Sequence, residues 1–312
     1  MHGINNGWMR LLMVIVLSAV LASVTNLASA QGASLYPACS TGTSMEWHLQ
    51  NMGRPTRIDK NPAPPPPDHT DIIKNPDGTY SVAGTPLLKV AVVANTTWSR
   101  TDPQGKVEQW VDEMTAYYAN SGAAINFEVV CMDIDPNMPN WISAGFDHLR
   151  PVYKSIAKHN QADLVMGLIG GQWGDPYCGV ATLGQPHHKA PLHSVSRCNS
   201  KVLAHEVGHN LGLHHAHQSG YVARKGYCIA PYASARDCWR GTIMSYSGNG
   251  RVPFFANKDH TYLGDPLGDE EHDAVGYLNK HKVGKALAWE LTYDEVVAQP
   301  LLRGDSPQVI YD

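Results

Sequence analysis

Residues 205–215 read His205-Glu206-Val207-Gly208-His209-Asn210-Leu211-Gly212-Leu213-His214-His215, and the rest of the chain is read outward from them. On an α-helix His205 and His209 stand one turn apart, separated by about 40° in azimuth and about 6 Å along the axis. Both rings can therefore meet one metal ion. Glu206 points about 100° away, too far round to ligate but close enough to hold a water on that metal. A third ligand has to come from elsewhere. Were the helix to continue, His215 would lie about 15 Å beyond His205, out of reach of a bond of roughly 2 Å. Gly212 removes the difficulty, because glycine takes the left-handed conformation that ends a helix and turns the chain back. Three imidazoles with an open fourth position describe a catalytic zinc site and not a closed structural one.

The full pattern HExxHxxGxxH resembles the motif of the metzincin zinc endopeptidases. Within that clan the chain is most similar to the reprolysin-like (adamalysin-type) secreted metalloproteases. The resemblance implies an α/β (α+β) fold: a twisted, mixed five-stranded sheet with helices, above a smaller C-terminal lobe. It also implies Zn2+ bound by His205, His209 and His215, with Glu206 as the catalytic base. His214 is the rival third ligand, but the family spacing counts to His215.

Before the motif, strands alternate with helices, the pattern of a mixed sheet with helices packed on it. Leu88–Ala94 is a β-branched apolar run that predicts a buried strand. Asp102-Pro103 is a helix start, with a cap residue followed by proline at the first helical position. Val107, Trp110, Val111, Met114, Tyr117 and Tyr118 recur at helical spacing after it, up to Gly122. Ile125–Cys131 and Ala162–Ile169 read as further strands, with a weaker helix from about Val152 to His159. This order is similar to the N-terminal half of the metzincin catalytic domain. Cys178–Leu183 precedes the zinc helix. In the family, a strand here lies at the sheet edge and pairs with extended substrate through its backbone; an ordinary interior strand is the alternative.

After the motif, Thr242-Ile243-Met244-Ser245-Tyr246 resembles the metzincin Met-turn, in which the methionine forms an apolar floor beneath the histidines. Tyr246 matches the spacing of a tyrosine that ligates zinc in astacins and serralysins. Typical adamalysins lack it, so a catalytic and a packing role both stand. Pro253-Phe254-Phe255 and the loop to Asp269 are expected to wall the substrate pocket. A helix from Asp269 toward Glu290 fits the family's closing helix.

Residues 1–30 read as a signal peptide: Arg10 supplies the charge, Leu11–Leu21 the apolar stretch and Ala28-Ser29-Ala30 the cleavage site. Residues 31–86 form an N-terminal extension or short pro-segment. It carries a polyproline spacer over Asn61–Pro67 and a turn signal at Asn75-Pro76-Asp77-Gly78, expected between short strands. The peptidase domain spans 87–290, and 291–312 reads as a polar tail. All six cysteines follow residue 30, an even number suited to an oxidising compartment. Cys178–Cys198 and Cys228–Cys238 are expected to pair. Cys39–Cys131 is the third bridge, unless Cys39 caps the zinc as a pro-segment cysteine does in related enzymes. His187, His188 and His193 are expected to be solvated loop residues, although a second metal site there is conceivable. Asn95-Thr96-Thr97 is a glycosylation sequon if the source is eukaryotic.

Lys+Arg number 24 and Asp+Glu 28, a net charge of −4, which points to neither nucleic acid nor an anionic membrane. The expected protein is a monomeric secreted enzyme, extracellular or periplasmic, without a membrane anchor. It would hydrolyse peptide bonds in proteins or peptides through a zinc-activated water. A non-catalytic secreted metal-binding interaction protein is the alternative from another class, although it would have no use for Glu206. A narrow-specificity processing or toxin protease is the nearer one.

Overall fold

Strand β3 (Leu87–Asn95) is an interior strand of the main sheet, and its side chains alternate between two cores. Leu88, Val90, Val92 and Ala94 enter one, Ala91 and Val93 the other. A strand buried on both faces has to sit inside a layered α/β arrangement. The computed structural model describes residues 36–39, 72–74, 80–82, 87–123, 125–171, 173–184, 192–218, 223–231, 238–247, 250–286 and 309–311. The expected signal peptide, most of 31–86, His187, His188, the helix beyond 286 and most of 291–312 lie outside the described residues.

The strands are β1 (Ile72–Lys74), β2 (Tyr80–Val82), β3, β4 (Asn126–Asp135), β5 (Leu164–Leu168), β6 (Gly179–Thr182), β7 (Leu192–Ser196), β8 (Cys228–Pro231), β9 (Cys238–Gly241), β10 (Thr261–Tyr262), β11 (Asp265–Pro266) and β12 (Val309–Tyr311). The helices are α1 (Pro103–Asn120), α2 (Ile142–Leu149), α3 (Tyr153–Asn160), α4 (Ser200–Asn210) and α5 (Ala274–Ala286). The main sheet has the order β12-β6-β7-β5-β3-β4. β4, β3, β5 and β7 run parallel, whereas β6 is antiparallel to β7 and β12 antiparallel to β6. The five expected strands are therefore joined by a sixth, short one from the segment read as a tail. β1 and β2 pair antiparallel on either side of the expected turn.

Local chemistry explains the helices. Asp102 caps α1 by accepting from the Gly105 amide at 2.8 Å, and Pro103 follows at its first position. Val107, Trp110, Val111, Met114 and Tyr118 then form one buried stripe. α1, α4 and α5 contribute to one core, and α2 and α3 to the other. Tyr118 ties the first group together, donating from its hydroxyl to the Ala204 carbonyl of α4 at 3.3 Å. Helix α2 has no sequence signature at its start, because Trp141 at the cap position makes no side-chain cap.

Three disulfides staple the described residues: Cys39–Cys131, Cys178–Cys198 and Cys228–Cys238. Cys39 is bonded to β4, and the Met132 amide donates to the Pro37 carbonyl at 3.0 Å. Its sulfur is thus committed to structure and not to a metal. Asn95 is 1% exposed, and its side-chain oxygen accepts from Thr97 and Gly170 amides, so the sequon is closed to glycan in the folded chain. Phe255 is buried against Tyr118, with ring centroids 4.3 Å apart, and belongs to the core instead of a pocket wall.

His193 is not a solvated loop residue. It sits on β7 with its ring stacked between Phe146 and Tyr153, each centroid 4.2 Å away. Burial pushes its pKa down to about 3, helped by the positive charges of Arg150 and Lys154. The folded state therefore holds it neutral, while the unfolded chain binds a proton from about pH 6.5 downward. Stability from this site is complete above that pH and is lost as the pH falls toward 3. Replacing His193 by Phe, which keeps a ring in the stack, should flatten the fall in melting temperature between pH 7.5 and pH 4.5. Equal slopes for variant and wild type would contradict this assignment.

Candidate active site

Helix α4 carries the first two motif histidines into the interior. Asn199 caps it, its side chain accepting from the Val202 amide at 3.1 Å. Leu203, Ala204 and Val207 bury one face against the sheet. The helix ends at Asn210, and Gly212 takes φ +94°, the left-handed turn the sequence requires. The Gly212 amide donates to the His209 carbonyl and the Leu213 amide to the Gly208 carbonyl, both at 2.9 Å, closing the helix. His214 then pairs with the next segment, its amide donating to the Arg224 carbonyl at 2.8 Å. His215 is delivered back to the helix.

The three rings converge on Nε2. Those atoms are 3.1 Å apart for His205–His209, 3.1 Å for His205–His215 and 3.0 Å for His209–His215. All three residues are essentially inaccessible to solvent. Among the described residues they are the one group of three that could hold a metal ion. His205 Nδ1 lies 2.6 Å from the Ile243 carbonyl and His209 Nδ1 lies 2.8 Å from the Leu213 carbonyl. A carbonyl only accepts, so both Nδ1 atoms donate, and a neutral ring then has a bare lone pair at Nε2. Two acceptors facing each other cannot form a hydrogen bond. A divalent cation can take the Nε2 lone pairs of both rings, with His215 Nε2 as the third donor within reach. Tetrahedral bonds of about 2.0–2.1 Å place nitrogens about 3.3 Å apart, close to the triangle seen. The residues fit the group.

Glu206 is buried on the same helix, and strand β6 runs beside it. A Cβ built at Gly179 would overlap Glu206 Oε1, so the carboxylate occupies space that only a glycine leaves open. Asn210 reinforces the contact, donating from Nδ2 to the Thr182 carbonyl of β6 at 2.7 Å. The Thr242–Tyr246 turn lies beneath the helix. Met244 is fully buried, and a Cβ at Gly208 would stand 2.6 Å from its sulfur. Gly208 thus lets the methionine pack directly against α4. The Ala216 amide donates to the Met244 carbonyl at 3.1 Å, fixing the strand after His215 to the turn.

Tyr246 reaches the site through its ring, which packs on His215 with centroids 4.3 Å apart and on His217 at 4.9 Å. His214 does not join the cluster. Its Nδ1 faces Gln218 Oε1 at 3.3 Å, and burial, with Arg224 nearby, pushes its pKa down to about 4. Gly179, Gly208 and His217 are the site residues that sequence reasoning did not reach. For the glycines no local signal existed, since their task is set by what packs against them.

Comparison with known proteins comes to the same class. The model of metallo-peptidase family M12 (Reprolysin_5) matches residues 88–257, more than half of the chain. The chain belongs to metallo-peptidase family M12. It is similar to the peptidyl-Asp metalloendopeptidase of Pseudomonas aeruginosa, with 25% identity over 219 residues, covering 57% of this chain and 35% of that protein. It therefore spans about a third of the length of that curated relative. A chain from a solved chaperone–substrate complex shares the fold at a TM-score of 0.53, with 19% identity over 70% of this chain and 37% of that one.

Replacing Gly212 by Ala should destabilise the fold. A side chain at positive φ costs of order 1–3 kcal/mol, and this one would meet the Tyr277 hydroxyl at 2.7 Å. Urea unfolding should show a lower midpoint. A variant within about 0.5 kcal/mol of wild type would show that the turn does not need glycine.

Proposed function

We propose that this chain is a secreted zinc endopeptidase in which His205, His209 and His215 hold the metal and Glu206 is the catalytic base. The observation that carries the reading is the buried triangle of Nε2 atoms, two of them forced to be acceptors by backbone carbonyls, beside a buried glutamate. Membership of a metallopeptidase family supports it, as does a relative named as a metalloendopeptidase. Zinc suits three neutral imidazoles better than the oxygen-seeking cations do.

A zinc ion supplies a Lewis acid for the substrate carbonyl and lowers the pKa of a water toward 7. Glu206 takes the proton of the attacking water, in a site dry enough to strengthen its interaction with that proton. Water oxygen bonds to the peptide carbonyl carbon, the carbon–nitrogen bond breaks, and Glu206 returns the proton to the departing amine. Gly179 of β6 leaves the room that the carboxylate occupies. Ile243 and Leu213 carbonyls keep the two helix imidazoles in the tautomer that presents Nε2, the orienting role usual for partners of metal-bound histidine. Tyr246 and His217 stack against the third imidazole and steady it, and Met244 closes the floor.

Residues 87–290 are proposed as the peptidase domain and 1–30 as the leader that exports it. Export agrees with three disulfides, and no described helix is long and apolar enough to cross a membrane. Replacing Glu206 by Gln should leave zinc bound in a one-to-one ratio and lower kcat on casein by about a thousandfold, within the range general acid–base catalysis supplies. A Glu206→Gln enzyme cutting at the wild-type rate would overturn the mechanism. Loss of zinc from the same variant would mean that the glutamate serves structure instead.

A further inference from the structure

Strand β12 lies on the outer edge of β6, the strand that touches the glutamate. Val309, Ile310 and Tyr311 pair antiparallel with Thr182, Ala181 and Val180. The pairing runs toward Gly179. Gly179, whose missing side chain makes room for the Glu206 carboxylate, is the next residue of β6 after Val180 in that direction. Whatever pairs with this edge is laid directly beside the proposed catalytic group.

We propose that β12 is an intramolecular pseudosubstrate: it occupies the peptide-docking edge of β6 and must leave before an extended substrate can bind. The idea rests on the peptidase reading of the site. A strand edge offers one row of backbone donors and acceptors, and that row pairs with one extended chain at a time. Main-chain pairing is largely indifferent to side chains, so the protein's own segment and a substrate peptide compete for the same groups. Among the described residues β6 has β7 on one side and β12 on the other, so β12 takes up the edge that β7 leaves.

The strength of the device follows from its size. Among the described residues the pairing spans three, a length marginal for a sheet strand, so substrate can displace it. Its covalent attachment makes the competition intramolecular, so a free peptide has to displace a tethered one. A dilute peptide is then held off and a concentrated or well-fitting one is admitted. Such an occupant raises KM and leaves kcat alone, because it blocks entry and does not touch the chemistry. A purely structural sixth strand would instead change stability or kcat.

The test uses the mature chain and two variants: Ile310→Pro, which removes a backbone donor from the strand, and a deletion of residues 305–312. In a fluorogenic peptide assay both should lower KM at least fivefold with kcat unchanged within twofold. The synthetic peptide DSPQVIYD, the sequence of residues 305–312, should inhibit the deletion variant competitively. A second arm needs no turnover. In Glu206→Gln backgrounds, the labelled peptide should bind the deletion variant at least tenfold more tightly than the full chain, by fluorescence anisotropy. Amide exchange in residues 179–183 should also accelerate when the segment is removed and slow again when the peptide is added. If turnover is absent but binding and exchange behave this way, the peptidase reading fails and the docking edge stands. Equal KM, equal peptide affinity and unchanged exchange in the variants would overturn the proposal.

Discussion

Three imidazole Nε2 atoms are held within 3.1 Å of one another in a buried interior, and the rest of the molecule is arranged to hold them there. Without a cation such a cluster is repulsive, because the two helix rings are locked as acceptors by carbonyls on the far side. Those carbonyls come from different places. Leu213 follows the helix break at Gly212, whereas Ile243 belongs to the turn about thirty residues later. The helix, its break and the later turn therefore have to be assembled together before the donor set exists. Metal binding and folding of this region should be coupled for the same reason.

The sheet supplies the rigid side of the arrangement. α4 is pressed onto it by Leu203, Ala204 and Val207, and β6 is drawn to the helix by Asn210 and by the contact at Gly179. β4, at one end of the sheet, and β6, next to the other end, are each covered by a further piece of the chain. Residues 36–39 lie along β4 through the Met132–Pro37 hydrogen bond and the Cys39–Cys131 bridge, and β12 covers β6. Covered edges resist aggregation, a general hazard for a sheet of this size. At β6 the cover also lies beside Gly179 and the Glu206 carboxylate that packs against it.

The motif made the centre legible because its physics is local. Helical spacing sets two ligands, a glycine with positive φ sets the third, and both appear in eleven consecutive residues. Strong periodicity likewise revealed β3, α1 and β5. Elements without such a signal were missed. α2 begins without a capping side chain, and β7 interrupts its apolar run with His193, Ser194 and Ser196. His193 reads as a loop residue until the aromatic stack around it is known. Phe255 resembles a pocket wall in sequence, yet tertiary packing draws it into the core. The β-branched and aromatic triplet Val309-Ile310-Tyr311 did carry a strand signal, but its polar surroundings obscured it. Gly179 and Gly208 were beyond reach, because nothing near them in sequence tells what will press against them.

The measurement that bears most directly on the site is zinc K-edge X-ray absorption of the purified chain loaded with one equivalent of zinc. Three imidazole nitrogens at about 2.0–2.1 Å, with one light oxygen scatterer completing the shell, are the predicted first coordination sphere. A shell containing sulfur, or one with fewer than three imidazoles, would contradict the site as built here.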